Sequence, residues 1–113
     1  MISFLLLLLS IGAQADERQL LIFGANQPEF KNQLFLLKQD SVGMTDRDLL
    51  VYTYKDGSSF HKKYAVKPGQ FTIILIGKDG GEKFRSYTVV KPETLFALID
   101  SMPMRKAEMR KNK

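Results

Sequence analysis

Hydrophobic positions along the chain change their spacing from two to about four and back, and the changes mark the elements. Phe71-Thr-Ile-Ile-Leu-Ile76 sets Phe71, Ile73 and Leu75 on one face and Thr72, Ile74 and Ile76 on the other, which predicts a central strand covered on both sides. Lys78-Asp79-Gly80-Gly81 then supplies the positive φ angles of a short hairpin. The returning segment carries only Phe84 and Tyr87 among Glu82, Lys83, Arg85 and Ser86, which suits an edge strand blunted by charge.

Upstream, Gln19-Leu-Leu-Ile-Phe23 is a short apolar strand followed by the loop Gly24-Ala25-Asn26-Gln27. Pro28 fits the first helical position and Glu29 the first turn, and Phe30, Leu34 and Leu37 make one buried stripe on a helix reaching about Lys38. Residues 40–48 read as a polar connection containing Gly43. Leu49-Leu-Val-Tyr-Thr-Tyr54 is a second strand, apolar on both faces and therefore expected to be covered on both. Residues 59–64 read as a short helix or an irregular crossover. Pro92 and Glu93 open a helix with Leu95, Leu98, Ile99 and Met102 on its buried face, and Pro103 ends it or opens another.

The order is strand, helix, strand, crossover, strand, hairpin strand, helix. Alternation of strands and helices calls for crossovers, and a hairpin with a closing helix follows. That count predicts an α/β fold, the thioredoxin-like sandwich: a four-stranded mixed sheet, two parallel crossovers then an antiparallel hairpin, with helices on both faces.

At 113 residues the chain has room for one core. Residues 1–15 are set apart: an apolar run over residues 2–9, broken only by Ser3, precedes Ala13-Gln14-Ala15, a small-x-small cleavage pattern. This reads as a signal peptide, too short to span a membrane, although no Lys or Arg precedes the run. An extracytoplasmic setting, periplasmic or secreted, follows as an expectation, with a domain over 16–104 and no transmembrane segment after cleavage. Five basic residues against Glu108 crowd residues 105–113, so the formal net charge of +5 describes a basic C-terminal tail more than the body. A groove for nucleic acid would distribute its charge differently. Such a tail suits an unknown protein partner or an anionic envelope component. The chain contains no cysteine, which excludes thiol chemistry and thiolate metal sites on its own residues.

Val66-Lys-Pro-Gly-Gln-Phe-Thr-Ile-Ile-Leu-Ile-Gly-Lys-Asp-Gly-Gly-Glu-Lys-Phe-Arg-Ser86, with Leu95-Phe-Ala-Leu-Ile-Asp-Ser-Met-Pro-Met-Arg105 and Glu108-Met-Arg110, resembles the DUF4174 family over roughly residues 18–110. That domain also occurs in secreted sushi-repeat and matrix-associated animal proteins. The resemblance implies a thioredoxin- or peroxiredoxin-like fold and an extracytoplasmic setting. It brings no established activity, so no catalytic residue is transferred.

Thioredoxin-fold enzymes place their thiols after the first strand, at the start of the next helix. Here that position holds Asn26 and Gln27, and Pro68 lies upstream of the place of the usual cis-proline. The remaining cleft, with Asn26, Gln27, Lys67 and Gln70, is a candidate binding site. Lys83, Arg85 and Tyr87 share a face of a regular return strand, with Lys78 nearby, and form a candidate docking patch in which Arg85 ranks first. His61 beside Lys62 and Lys63 reads as solvated, with no nucleophile pattern near Ser58 or Ser59. Asp46-Arg47-Asp48 reads as a solvated loop, and Asp79-Gly80-Gly81 lacks the ligand repeat of a calcium loop. Met102, Met104 and Met109 read as packing thioethers rather than a copper site. The expectation is a non-catalytic binding module with no cofactor; the alternative is an enzyme using non-thiol chemistry in the old cleft.

Overall fold

The structure, a computed structural model, describes residues 15–111. The expected signal peptide therefore lies outside the described residues, apart from Ala15. The elements are β1 (Arg18–Phe23), α1 (Pro28–Gln39), α2 (Ser41–Asp46), β2 (Leu49–Thr53), α3 (Phe60–Lys63), β3 (Thr72–Ile76), β4 (Glu82–Ser86), α4 (Pro92–Asp100) and α5 (Pro103–Lys111). They form one four-stranded mixed sheet in the order β2-β1-β3-β4.

β1 pairs parallel with β2, with Leu20 opposite Val51 and Leu21 opposite Tyr52. On its other side it pairs antiparallel with β3, with Leu21 opposite Ile74. The first crossover therefore gives a parallel pair, whereas the second does not. α1 and α2 carry the chain back to the end of the sheet where β1 began. The connector from β2 to β3 contains only the four-residue α3, about 6 Å of helix against about 16 Å of strand. It stays at the end where β2 left the sheet, and β3 enters from there.

Leu20, Leu21, Ile22 and Phe23 are all fully buried, each contributing about 1.5–3 kcal/mol of transfer free energy. Leu20, Ile22, Ile73 and Leu75 face α1, α2 and α4 through Leu37, Met44, Leu95 and Ile99. Leu21, Phe23, Ile74 and Ile76 meet Val66 and the rings of Tyr52, Tyr54 and Tyr64 on the opposite face. β3 is buried along its whole length, as expected of a central strand. β2 is not: it lies at the edge, with Leu50 47% and Val51 37% exposed. Its lack of alternation reflects an open apolar edge rather than cover on two faces.

The polar connection expected over 40–48 contains α2, buried at Met44. A Cβ on Gly43 would stand 2.6 Å from the Phe96 ring, so the glycine is what lets α4 close on α2. Nor do residues 105–111 hang as a tail. They belong to α5, and Arg105 is buried.

Candidate functional site

The loop after β1 is locked to the loop before β3. Gly24 has φ +89°, and a Cβ there would lie 2.6 Å from Phe71 Cα and 2.8 Å from Phe71 N. Gln27 Nε2 donates to the Gly69 carbonyl at 2.8 Å. Asn26, Lys67 and Gln70 are exposed around this junction. Of the expected cleft residues, Gln27 is thus spent on bridging the two loops, and the space between them is occupied by backbone. α1 begins at Pro28 with no side-chain cap at Gln27, consistent with that amide being engaged elsewhere.

Behind this junction lies His61, 5% exposed and not solvated as the neighbouring lysines suggested. Its ring stands edge-on to Phe23 with centroids 4.9 Å apart, in a cluster with Tyr54, Phe60 and Tyr64. Nδ1 lies 3.1 Å from the Ser58 carbonyl, while Nε2 has no hydrogen-bond partner among the described residues. Lys62 and Lys63 are exposed on the same short helix, so one turn carries both the solvated and the buried side chains.

The expected patch on β4 does not assemble. Leu75 pairs with Phe84 and Ile76 with Glu82, so Lys83 is the extra residue of a bulge and regular alternation fails there. Lys83 pairs with Asp79 at 2.7 Å in the turn. Arg85 turns the other way: Nε and NH2 donate to Glu82, NH2 to the Tyr64 carbonyl at 2.6 Å, and NH1 to the Ala65 carbonyl at 3.3 Å. The Glu82 carboxylate raises the Arg85 pKa further above its ordinary value. Arg85 ties β4 to the end of α3, where Ala65 holds φ +55°. Tyr87 lies beyond the strand, half exposed.

Lys78 belongs instead to an ionic cluster at the other end of the sheet. Its ammonium contacts Asp48 and Glu108, each at 2.8 Å. Burial works against its charge, but these hydrogen bonds outweigh burial and raise its pKa. Glu108 also receives Arg18 NH1 at 3.2 Å and NH2 at 3.1 Å. Arg18 NH1 further donates to the Arg47 carbonyl at 2.8 Å. Arg47 grips Asp100 in a two-pronged contact at 3.0 and 2.8 Å and lies 4.2 Å from the Phe96 ring centre. Arg105 joins Asp100 at 3.0 Å to Asp46 at 2.7 Å. Asp46-Arg47-Asp48, read as a solvated loop, is therefore a hinge pin of three ion pairs. Hydrogen bonds from Arg47, against burial, hold the Asp100 carboxyl below its ordinary pKa, and those from Arg18 and Lys78 overcome burial to do the same for Glu108.

Sequence reasoning missed Arg18, Asp100, Arg105 and Glu108. A charged residue opening a strand of otherwise apolar character was the available signal for Arg18. Against this cluster lies a pocket of about 290 Å³, lined in part by Arg18, Lys78, Lys83, Met102, Pro103 and Met104. Cations beside the two thioethers oppose a copper ion there, and no group of three or more His, Asp or Glu side chains is arranged to hold a metal among the described residues.

A second groove, of about 350 Å³, runs between α1, α2 and the edge of β2 that no strand among the described residues pairs with, lined by Leu34, Leu37, Met44, Leu49, Leu50 and Val51 among others. Its lining also includes Lys38, Ser41 and Thr45.

Known proteins support this architecture. The chain is similar in fold to a thioredoxin-fold protein from Helicobacter pylori, with a TM-score of 0.57 and 15% identity over 89% of this chain and 81% of that one. A stretch of 39 residues, 34% of the chain, is 46% identical to the sushi repeat-containing protein SRPX of Homo sapiens, and an equal match occurs in Rattus norvegicus. These matches span 8% of the relatives' length. The model of DUF4174, a domain of unknown function, matches residues 12–108, and the chain belongs to that family.

Proposed function

We propose that this chain is an exported, non-catalytic thioredoxin-like module that binds an extended segment of a partner protein along the free edge of β2. The observation that carries the reading is that edge. Leu49–Thr53 has no proline and no charge, and Leu50 and Val51 are exposed beside the apolar groove under α1 and α2. Edge strands are ordinarily blunted by charge, proline or a bulge. β4 has charge and a bulge; β2 has neither. A strand added to β2 would satisfy its outward backbone groups and seat alternate side chains in the groove. The thiol position, held by Asn26 and Gln27 and bridged by the Gln27–Gly69 bond, favours binding over turnover. Export rests on the apolar run and the small-residue site before Asp16.

The test is a photoreactive residue at position 51 in living cells, with the same residue at position 85 as a comparison. A protein captured from 51 and not 85 is then purified and bound to the isolated chain. Val51→Lys is expected to weaken that complex at least about tenfold with melting unchanged, since a lysine on the edge opposes strand addition. Equal binding by Val51→Lys, or capture from neither position, overturns the reading.

A further inference from the structure

The backbone of β2 fixes which of its residues an added strand meets. The Arg18 N–H donates to the Asp48 carbonyl at 2.7 Å, and the Tyr54 N–H donates to the Ile22 carbonyl at 3.3 Å. In a strand, the N–H and C=O of one residue point to the same side and those of the next residue to the other. Asp48, Leu50, Tyr52 and Tyr54 therefore face β1. Leu49, Val51 and Thr53 turn their backbone groups outward, where no strand among the described residues pairs with them. Leu49 packs in the core cluster under α1 and α2 and Tyr52 against the opposite one, so the odd-numbered side chains stand on the groove side. Among the described residues, Lys38 is the one charged residue in the groove's lining, and it lies with Leu49 at the end where β2 begins. Lys55 lies just past the other end of the strand. Both lysines are exposed, and neither has an ion-pair partner among the described residues. The carboxylates close to these ends are engaged: Asp46 by Arg105, Asp48 by Lys78, and Asp56 by the Gly69 N–H. Asp40, at the junction of α1 and α2, does not line the groove.

We infer, resting on edge binding at β2, that the segment added there belongs to a different protein, is apolar at alternate positions and carries carboxylates at both ends. Its backbone bonds Leu49, Val51 and Thr53, and its groove-side side chains lie beside Val51 against Leu34 and Leu37. Its carboxylates meet Lys38 at one end and Lys55 at the other. The same two cations act against a second copy of this chain. Two β2 edges paired antiparallel about Val51 set Leu49 opposite Thr53 and bring the Lys38 end of each copy to the Lys55 end of the other. Like charges then meet twice. Natural sheets use charge on an edge strand to prevent self-pairing. Here the charges lie beside the strand, so the edge stays open to a segment of opposite sign while self-pairing is opposed.

The test uses the isotope-labelled full chain and two soluble peptides of alternating valine and threonine, one flanked at each end by aspartate and the other by lysine. Strand addition should slow hydrogen exchange at the Leu49, Val51 and Thr53 amides, while Leu50 and Tyr52, already turned to β1, change little. At low salt the acidic peptide is expected to reach half-saturation at about tenfold lower concentration than the basic one. That advantage should fall below about threefold in about 0.5 M sodium chloride. Lys38→Glu combined with Lys55→Glu, both at exposed positions, should reverse the preference. Equal protection by the two peptides, or a double variant that keeps the parent's preference, overturns the charge rule and leaves edge binding standing. Absence of protection by either peptide at about 5 mM also overturns the inference, and capture from position 51 then decides edge binding by itself. Protection that grows with the concentration of the chain alone, with a doubled mass in sedimentation, makes the occupant a second copy and overturns it too.

Discussion

Arg18 and Phe23 are the two ends of one strand, both essentially buried, and they are held by opposite chemistry. Around Phe23 the protein uses rings, a neutral amide and close backbone contact: Tyr54 stacks at 4.9 Å, Gln27 bridges to Gly69, and Gly24 packs on Phe71. Around Arg18 it uses charge, with four cations and four carboxylates from β1, α2, the α2–β2 connection, the β3–β4 turn, α4 and α5. The first end is where related folds keep their reactive thiols, and here it is closed mainly by rings, backbone and the Gln27 amide, with the Asp56 carboxylate accepting from the Gly69 N–H at 3.3 Å. The second end is where the segments most distant in sequence must be joined. Hydrophobic contact alone fixes no orientation for α5, whose composition is strongly polar. Paired charges with directional hydrogen bonds do so.

Breaking the charged end should have the largest effect. Glu108→Ala leaves buried Arg18 without its carboxylate and Lys78 with Asp48 alone, and breaking a buried pair from one side costs about 3–5 kcal/mol. Glu108 keeps 23% of its side chain exposed, so the lower part of that range, about 3 kcal/mol, is expected. Urea denaturation of variant and parent measures it. A loss below about 1 kcal/mol would mean that water already shares these ion pairs, and the contrast between the two ends would dissolve.

Acid should distinguish the ends next. Asp100, hydrogen-bonded by Arg47 and Arg105, and Glu108, hydrogen-bonded by Arg18 and Lys78, have carboxyls held below their ordinary pKa. A depressed folded-state value means that the unfolded chain takes up protons first. The stabilisation is complete above the unfolded pKa, near 4, and is lost as pH falls through the folded value. Melting temperature should therefore fall below about pH 4, and Asp100→Asn should start lower but decline less steeply there. Parallel acid limbs for the two proteins would remove Asp100 from the account.

The central part of this design was legible in the sequence. β3 was marked by apolar residues on both faces and β1 by a continuous apolar run, and both are interior strands. The helix from Pro28 was legible because its opening proline, acidic first turn and apolar stripe agree. β2 showed the same apolar signal as β3 without being covered, since a residue's chemistry records what it can bury and not whether a neighbour arrives. Lys78 was singled out but assigned to the wrong company: its partners Asp48 and Glu108 lie 30 residues away on either side. Ion pairs at such separations leave no periodic trace. The bulge that separates Lys83 from Arg85 has no distinctive residue of its own, so regular alternation was the natural assumption. His61 was misplaced because its exposed neighbours on a single helical turn point away from it.

The neutral end offers the smallest expected effect and the sharpest control. Gln27→Ala removes the Nε2 donor to Gly69. Gly69 is half-buried, so water can take over part of the lost bond, and a net loss of about 1 kcal/mol is expected. Neither group carries charge, so that loss should be the same at low and high salt and the same at pH 3 and pH 7, unlike the Glu108→Ala effect, which should shrink as Glu108 is protonated in the parent. Measuring both variants by urea denaturation across that grid tests the division directly. If Gln27→Ala proves as sensitive to acid as Glu108→Ala, the two ends are coupled through β1 and do not act as separate fastenings. If it is insensitive, the Gln27–Gly69 bridge at the place where related folds keep their thiols holds independently of the ion pairs that dock α5 at the other end.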